Sequence, residues 1–122
     1  MRTVNILTNK QEMTYHGEKF QGDGYYGFND GIHTVSFNLK SFTGRIYVQA
    51  TLMEDPSEDD WFDIELTHMH AYLEFNQDTT NRGVTFTGNF VWIRLKVDRA
   101  HIANQVYDID THGSIEKAVL AI

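Results

Sequence analysis

The sequence predicts an all-β fold: one antiparallel β-sandwich of about eight strands over residues 1–122, with at most one short helical turn. Three observations predict it. Apolar and polar residues alternate with period two along most of the chain, the mark of half-buried antiparallel strands. Turn chemistry recurs roughly every ten residues. The length, 122 residues, is that of a single domain.

The elements follow in order. Residues 1–20 read as an N-terminal segment, an edge strand at Val4-Asn5-Ile6-Leu7 or an extended arm. In 33–40, Val35, Phe37 and Leu39 alternate with Thr34, Ser36, Asn38 and Lys40. In 45–53, Ile46, Val48, Ala50 and Leu52 alternate with Arg45, Tyr47, Gln49 and Thr51. In 68–75, Met69, Ala71, Leu73 and Phe75 alternate with His68, His70, Tyr72 and Glu74. In 90–97, Val91, Ile93, Leu95 and Val97 alternate with Phe90, Trp92, Arg94 and Lys96. Shorter strands are expected at 61–66, 84–87 and 114–122. Residues 98–107 read as a helical turn or a connecting loop, and 108–113 as a turn.

Turns are expected at Asn29-Asp30-Gly31, Ser41-Phe42-Thr43-Gly44, Asp55-Pro56-Ser57, Thr79-Thr80-Asn81-Arg82-Gly83 and Thr87-Gly88-Asn89. Glycine there supplies positive φ, and Asn and Asp bond their own backbone. The expected inward set is Val35, Phe37, Leu39, Ile46, Val48, Leu52, Ile64, Leu73, Ile93, Leu95 and Val97.

Composition excludes several classes. Hydrophobic residues make up 41% and charged residues 22%, so the chain can bury a core and is not read as disordered. No apolar run is long enough for a membrane helix, and MRTVNILTNKQEM has no apolar stretch of signal-peptide type. Without cysteine there is no disulfide, thiolate metal site or cysteine nucleophile. The net charge of -7 disfavours nucleic acid as a partner. The charge is also unevenly placed. From Ile46 to Asn81 there is no Lys or Arg, while Glu54, Asp55, Glu58, Asp59, Asp60, Asp63, Glu65, Glu74 and Asp78 all fall in that span. Such asymmetry suits a basic partner, head-to-tail contacts, or simple solubility.

Chemistry-bearing motifs are few. The acidic loop 54–60 could offer calcium hard oxygens, but its spacing is not that of an EF-hand, and a solvated hairpin loop joining 45–53 to 61–66 is the reading adopted. Such a loop should be mobile unless a cation or basic partner neutralises it. His68 and His70 share a strand face, and with His33 or His101 they could hold a metal only if the fold gathered them; no metal site is assigned. There is no nucleophile elbow, phosphate-cradling glycine loop, HExxH or dinucleotide fingerprint. Gly22-Asp23-Gly24 is broken by Tyr25 and Tyr26. Asp60 and Asp63 form an acid pair only as part of an acid-rich stretch. The expectation is no enzyme, no catalytic residue and no cofactor.

Tyr47, Phe90, Trp92 and Arg94 form the candidate surface. Aromatic rings beside arginine can anchor a protein partner or stack on sugar. The same residues could instead be a second buried layer beneath a crossing loop.

Three stretches carry a resemblance: GDGYYGFNDGIHTVSFNLKSFTGRIYVQATLMEDPSEDDWFDIEL (22–66), TGNFVWIRLKVDR (87–99) and GSIEKAVLAI (113–122). Together they resemble small virion structural proteins of contractile-tailed, cyanophage-type bacteriophages. The layout is also similar to discoidin-like and carbohydrate-binding-module-like jelly rolls. The resemblance implies a non-enzymatic jelly-roll module that decorates the capsid or joins the neck, tail or baseplate. Its partners would be other virion proteins and further copies of itself, and its place the virion, assembled in the host cytoplasm. The alternative is a glycan-binding module that attaches the particle to a host surface. No ligand residue carries over, because no binding motif matches residue by residue.

Overall fold

The computed structural model describes residues 3–5, 13–22, 31–66, 71–100 and 106–121. His68, His70, Tyr25, Tyr26, the 101–105 half of the 98–107 segment, His101 included, and the 29–30 part of the first turn lie outside these residues.

The described residues form eight strands: β1 (Thr3–Asn5), β2 (Thr14–His16), β3 (Phe20–Gln21), β4 (Ile32–Thr51), β5 (Phe62–Asp63), β6 (Tyr72–Thr87), β7 (Trp92–Asp98) and β8 (Ser114–Ala121). A 3-10 turn spans Glu58–Asp60, and a single helical turn, α1, spans Ile109–His112. Every pairing is antiparallel. The all-β, antiparallel class expected from alternation is therefore observed. The edge strand expected near Val4 is β1, which lies beside β8.

The two layers share their long strands. β4 is 20 residues long. Its first half pairs with β6 on one side and β8 on the other, and its second half with the start of β6 and with β7. The result is one sheet curled over its own core. Two of the expected turns are thus corrected: 41–44 and 79–83 lie inside continuous strands.

Reciprocal bulges make the bend. Ser41 in β4 and Gln77 in β6 both have positive φ, 50° and 52°, and the β4–β6 register shifts on either side of Phe42. One extra residue in each strand bends it and raises its twist. The bulges are stapled to each other: Ser41 N–H donates to Thr79 Oγ1 and Gln77 N–H to Thr43 Oγ1, each at 2.9 Å. The Ser/Gly chemistry that suggested a turn was therefore read correctly as a break in regularity and wrongly as a reversal.

Arg99 closes the bend from inside. It is fully buried, and its Nε donates to the Thr43 carbonyl at 2.8 Å. Its guanidinium lies 4.8 Å from the Phe42 ring and 5.2 Å from the Tyr107 ring. Burial pushes its pKa down. Gly44 admits it, because a Cβ there would stand 2.8 Å from Arg99 Cγ.

The core takes Val35, Phe37, Ile46, Val48, Ile93, Leu95 and Val97 at 0% exposure, with Leu39, Ile64 and Leu73 also buried. The predicted phase of each strand is thus the observed one. Leu52 is the exception, 64% exposed. It lies past the end of β4 at Thr51, so no neighbouring strand continues the face on which alternation would bury it.

Candidate functional site

Strand register builds the outer face of the second layer as cross-strand rows. Glu74, Arg45, Asp98 and Thr14 form one row, and Tyr72, Tyr47, Lys96 and His16 the next. Asp63, Gln49 and Arg94 follow, then Thr51, Trp92 and Gln21. Residues directly opposite on antiparallel strands point to the same side, so each row is a set of touching neighbours.

The first two rows are bonded laterally. Arg45 Nε meets Glu74 Oε1 at 3.1 Å, and Thr14 Oγ1 donates to Asp98 Oδ1 at 3.2 Å. The Arg45 guanidinium lies 4.4 Å from the Tyr72 ring, and Lys96 Nζ lies 5.6 Å from the Tyr47 ring. Tyr47 and Tyr72 are 5.5 Å apart and half-buried. The hydrogen bond that Arg45 donates to Glu74 raises the Arg45 pKa. Partial burial, then the nearby Asp98 charge, raises that of the Tyr47 phenol.

The acidic loop covers the other rows. Arg94 is 7% exposed although it sits on the outer face. Its Nε donates to Gln49 Oε1 at 2.8 Å, and Gln49 Nε2 donates to Asp63 Oδ1 at 2.9 Å. Its two terminal nitrogens bond both oxygens of Glu58, at 3.2 and 3.0 Å. The Trp61 ring lies against the guanidinium at 4.3 Å. Trp92 donates its indole N–H to the Glu54 carbonyl at 2.9 Å, and Lys19 Nζ stands 4.9 Å from its ring. The loop also holds itself: Asp60 Oδ2 accepts from Ser57 N–H at 2.8 Å and from Ser57 Oγ at 3.1 Å. Arg94 is thus paired with one of the loop's carboxylates, Glu58. The Glu58 pKa is lowered by its hydrogen bonds to Arg94 and then by the Arg94 charge.

The loop does join 45–53 to 61–66 as expected, with Gln49 opposite Asp63 and Ala50 opposite Phe62. Glu54, Asp55, Glu58 and Asp59 are exposed. Among the described residues no group of three or more His, Asp or Glu is placed to hold a metal ion.

Of the four candidate residues, Tyr47, Trp92 and Arg94 share the outer face and Phe90 does not. Phe90 precedes β7, is 8% exposed, and packs with His33, Phe86 and Phe62 at centroid separations of 5.7, 6.2 and 5.9 Å. The alternation assigned to 90–97 holds only from Trp92, where β7 begins.

Sequence reasoning missed Glu58, Trp61 and Gln49 as the partners of Arg94, because a loop that doubles back onto a sheet has no period. It named His33 only as a conditional metal ligand and missed its full burial, with Nδ1 3.1 Å from the Gly31 carbonyl. Its place in the 33-35-37-39 phase was the available signal.

Comparison with protein-family models and with curated protein sequences gives no match for this chain.

Proposed function

We propose that this protein is a non-enzymatic building block of a tailed-bacteriophage virion, a β-sandwich module that works through fixed protein–protein contacts. The sequence resemblance supplies the particle. The observation that carries the building-block reading is the state of the outer face, where charged and aromatic groups are taken up by internal bonds. Glu58, Asp60 and Asp63 are each bonded to a protein neighbour, as carboxylates that fix shape would be. Rigid placement of this kind suits a part that repeats in an assembly. Leu52, Met53 and Phe62, 64%, 51% and 43% exposed around the β4–β5 connection, offer apolar area for such contacts.

The half-exposed Tyr47–Tyr72 pair favours a second reading, glycan attachment. Sugar stacking needs an open ring face, and Arg45 and Lys96 lie over these rings. Protein contact is therefore the preferred reading.

The test is mass spectrometry of purified particles from a lysate producing the protein. Recovery with the other virion proteins is expected, and absence from intact particles would overturn the proposal. Glycan-array binding lost in Tyr47→Ala would favour attachment instead.

A further inference from the structure

Among the described residues the sheet has one long open edge. β1 and β2 are 3 residues each, and β3 and β5 are 2 each, too short to template another strand. β6 is 16 residues long and, among the described residues, pairs only with β4. From Asp78 to Thr87 its other edge therefore presents, among the described residues, a row of backbone N–H and C=O groups.

Two of the usual protections, proline and lysine, are missing from this edge. Tyr72–Thr87 contains no proline and no lysine. The Gln77 bulge ends the regular stretch at one side, and from Asp78 to Thr87 the strand runs without a register shift except beside Phe42 in its partner. Residues 79–83 are all exposed. Asp78–Thr87 carries one acid and one base, Asp78 and Arg82. Arg82 makes no ion pair among the described residues. Asp78 accepts a hydrogen bond from Asn76 N–H through Oδ2, at 3.2 Å.

We propose that β6 pairs with β6 of a second copy of this chain, antiparallel, across a two-fold axis through Thr80. In an antiparallel pair, opposite residues must present the same edge, so they have equal parity and the axis must pass through a residue. An axis through Asp78 or Arg82 sets like charges opposite each other. An axis through Thr79 or Asn81 leaves both charges without a counterpart. With the axis at Thr80, Asp78 faces the partner's Arg82 and Arg82 faces the partner's Asp78. The surface is then self-complementary, as a two-fold contact requires. Thr80 and Arg82 lie opposite Leu39 and Phe37, so their side chains project on the core side of the sheet. The curled sheet thereby continues from one copy into the next. The inference rests on the building-block reading for its role, not for its geometry.

The experiment measures mass in solution by light scattering for the full chain and two charge reversals, Asp78→Arg and Arg82→Asp. The wild type is expected to be a dimer. Each reversal alone places like charges opposite each other and should weaken the dimer at least about tenfold. Mixing the two reversed chains should restore it, because each then faces its complement. Opposite residues in an antiparallel pair have Cα atoms about 4.5–5.5 Å apart, within disulfide reach. Thr80→Cys, the lone thiol in a cysteine-free chain, should therefore cross-link under mild oxidation, and Thr87→Cys should not. A monomeric wild type, a dimer indifferent to both reversals, or cross-linking at Thr87 in preference to Thr80 would each overturn the two-fold. The particle experiment separates the two proposals. A monomer recovered in particles sinks the pairing alone, and a dimer absent from particles sinks the building-block reading alone.

Discussion

Arg94 and Glu58 meet through paired bonds of 3.2 and 3.0 Å, one partner on a strand and the other in the loop that crosses it. The Arg94 side chain is 9% exposed and that of Glu58 72%, so the strand end of the pair is buried and the loop end is wet. The asymmetry decides what each substitution does. Arg94→Ala strips Gln49, Glu58 and Trp61 of a shared partner and should lower stability by about 2–4 kcal/mol. Chemical denaturation measures it. Arg94→Lys should recover only part, because an ammonium cannot reproduce the planar fork.

Glu58→Gln should leave the global fold intact and loosen the loop. Cleavage after Glu54 by a glutamate-specific protease should become faster, with the unfolding midpoint little changed, since exposed ion pairs contribute little to global stability. Equal cleavage rates would show that the Glu58–Arg94 pair does not hold the loop.

The same pair sets a pH dependence. The folded-state pKa of Glu58 is lowered, so its contribution is fully present above the ordinary glutamate range and is lost as pH falls through the lowered value. A carboxyl titration by NMR should place the Glu58 midpoint below that range, and Arg94→Gln should return it there.

Gly113 has φ +70, and a Cβ on it would collide with the Ser41 carbonyl oxygen. Gly113→Ala should therefore destabilise by at least roughly 1–3 kcal/mol, the strain of a side chain in this region. Thermal melting checks it. Gly83→Ala, where the nearest atom would be 3.8 Å away, is the contrasting control with little packing cost.

Calcium in the millimolar range should leave the melting temperature unchanged. Two of the loop's carboxylates, Glu58 and Asp60, are already bonded within the protein. A rise in melting temperature that Asp59→Asn removes would show preferential binding to the native state.

Legibility followed regularity. Strand phase was readable because a residue such as Ile46 or Val48 has one buried side, and a slip by one would expose every apolar neighbour. Strand ends were not readable: Leu52 and Phe90 continue the alternation in sequence while the sheet stops at Thr51 and starts again at Trp92. Bulges were misread as turns because Ser41 and Gly44 carry the same local signal in both, and only the bond from Ser41 to Thr79 and the close approach of Arg99 to Gly44 tell them apart. At the candidate site, Trp92 and Arg94 were found from their shared face. Glu58 and Trp61 lay in a loop whose return path is set by tertiary contact alone.

β4 also has a kinetic consequence. Its partners β5, β6, β7 and β8 all follow it in the chain, the last ending at Ala121. A ribosome therefore releases the strand bearing Val35, Phe37, Ile46 and Val48 well before anything can cover it. Pairings this distant place the protein among high-contact-order folds, which acquire structure on a millisecond-to-second scale. During that interval the exposed strand is the segment most open to wrong association. Because both layers depend on it, neither has a stable half-folded form in which to wait, and unfolding should proceed as one cooperative event.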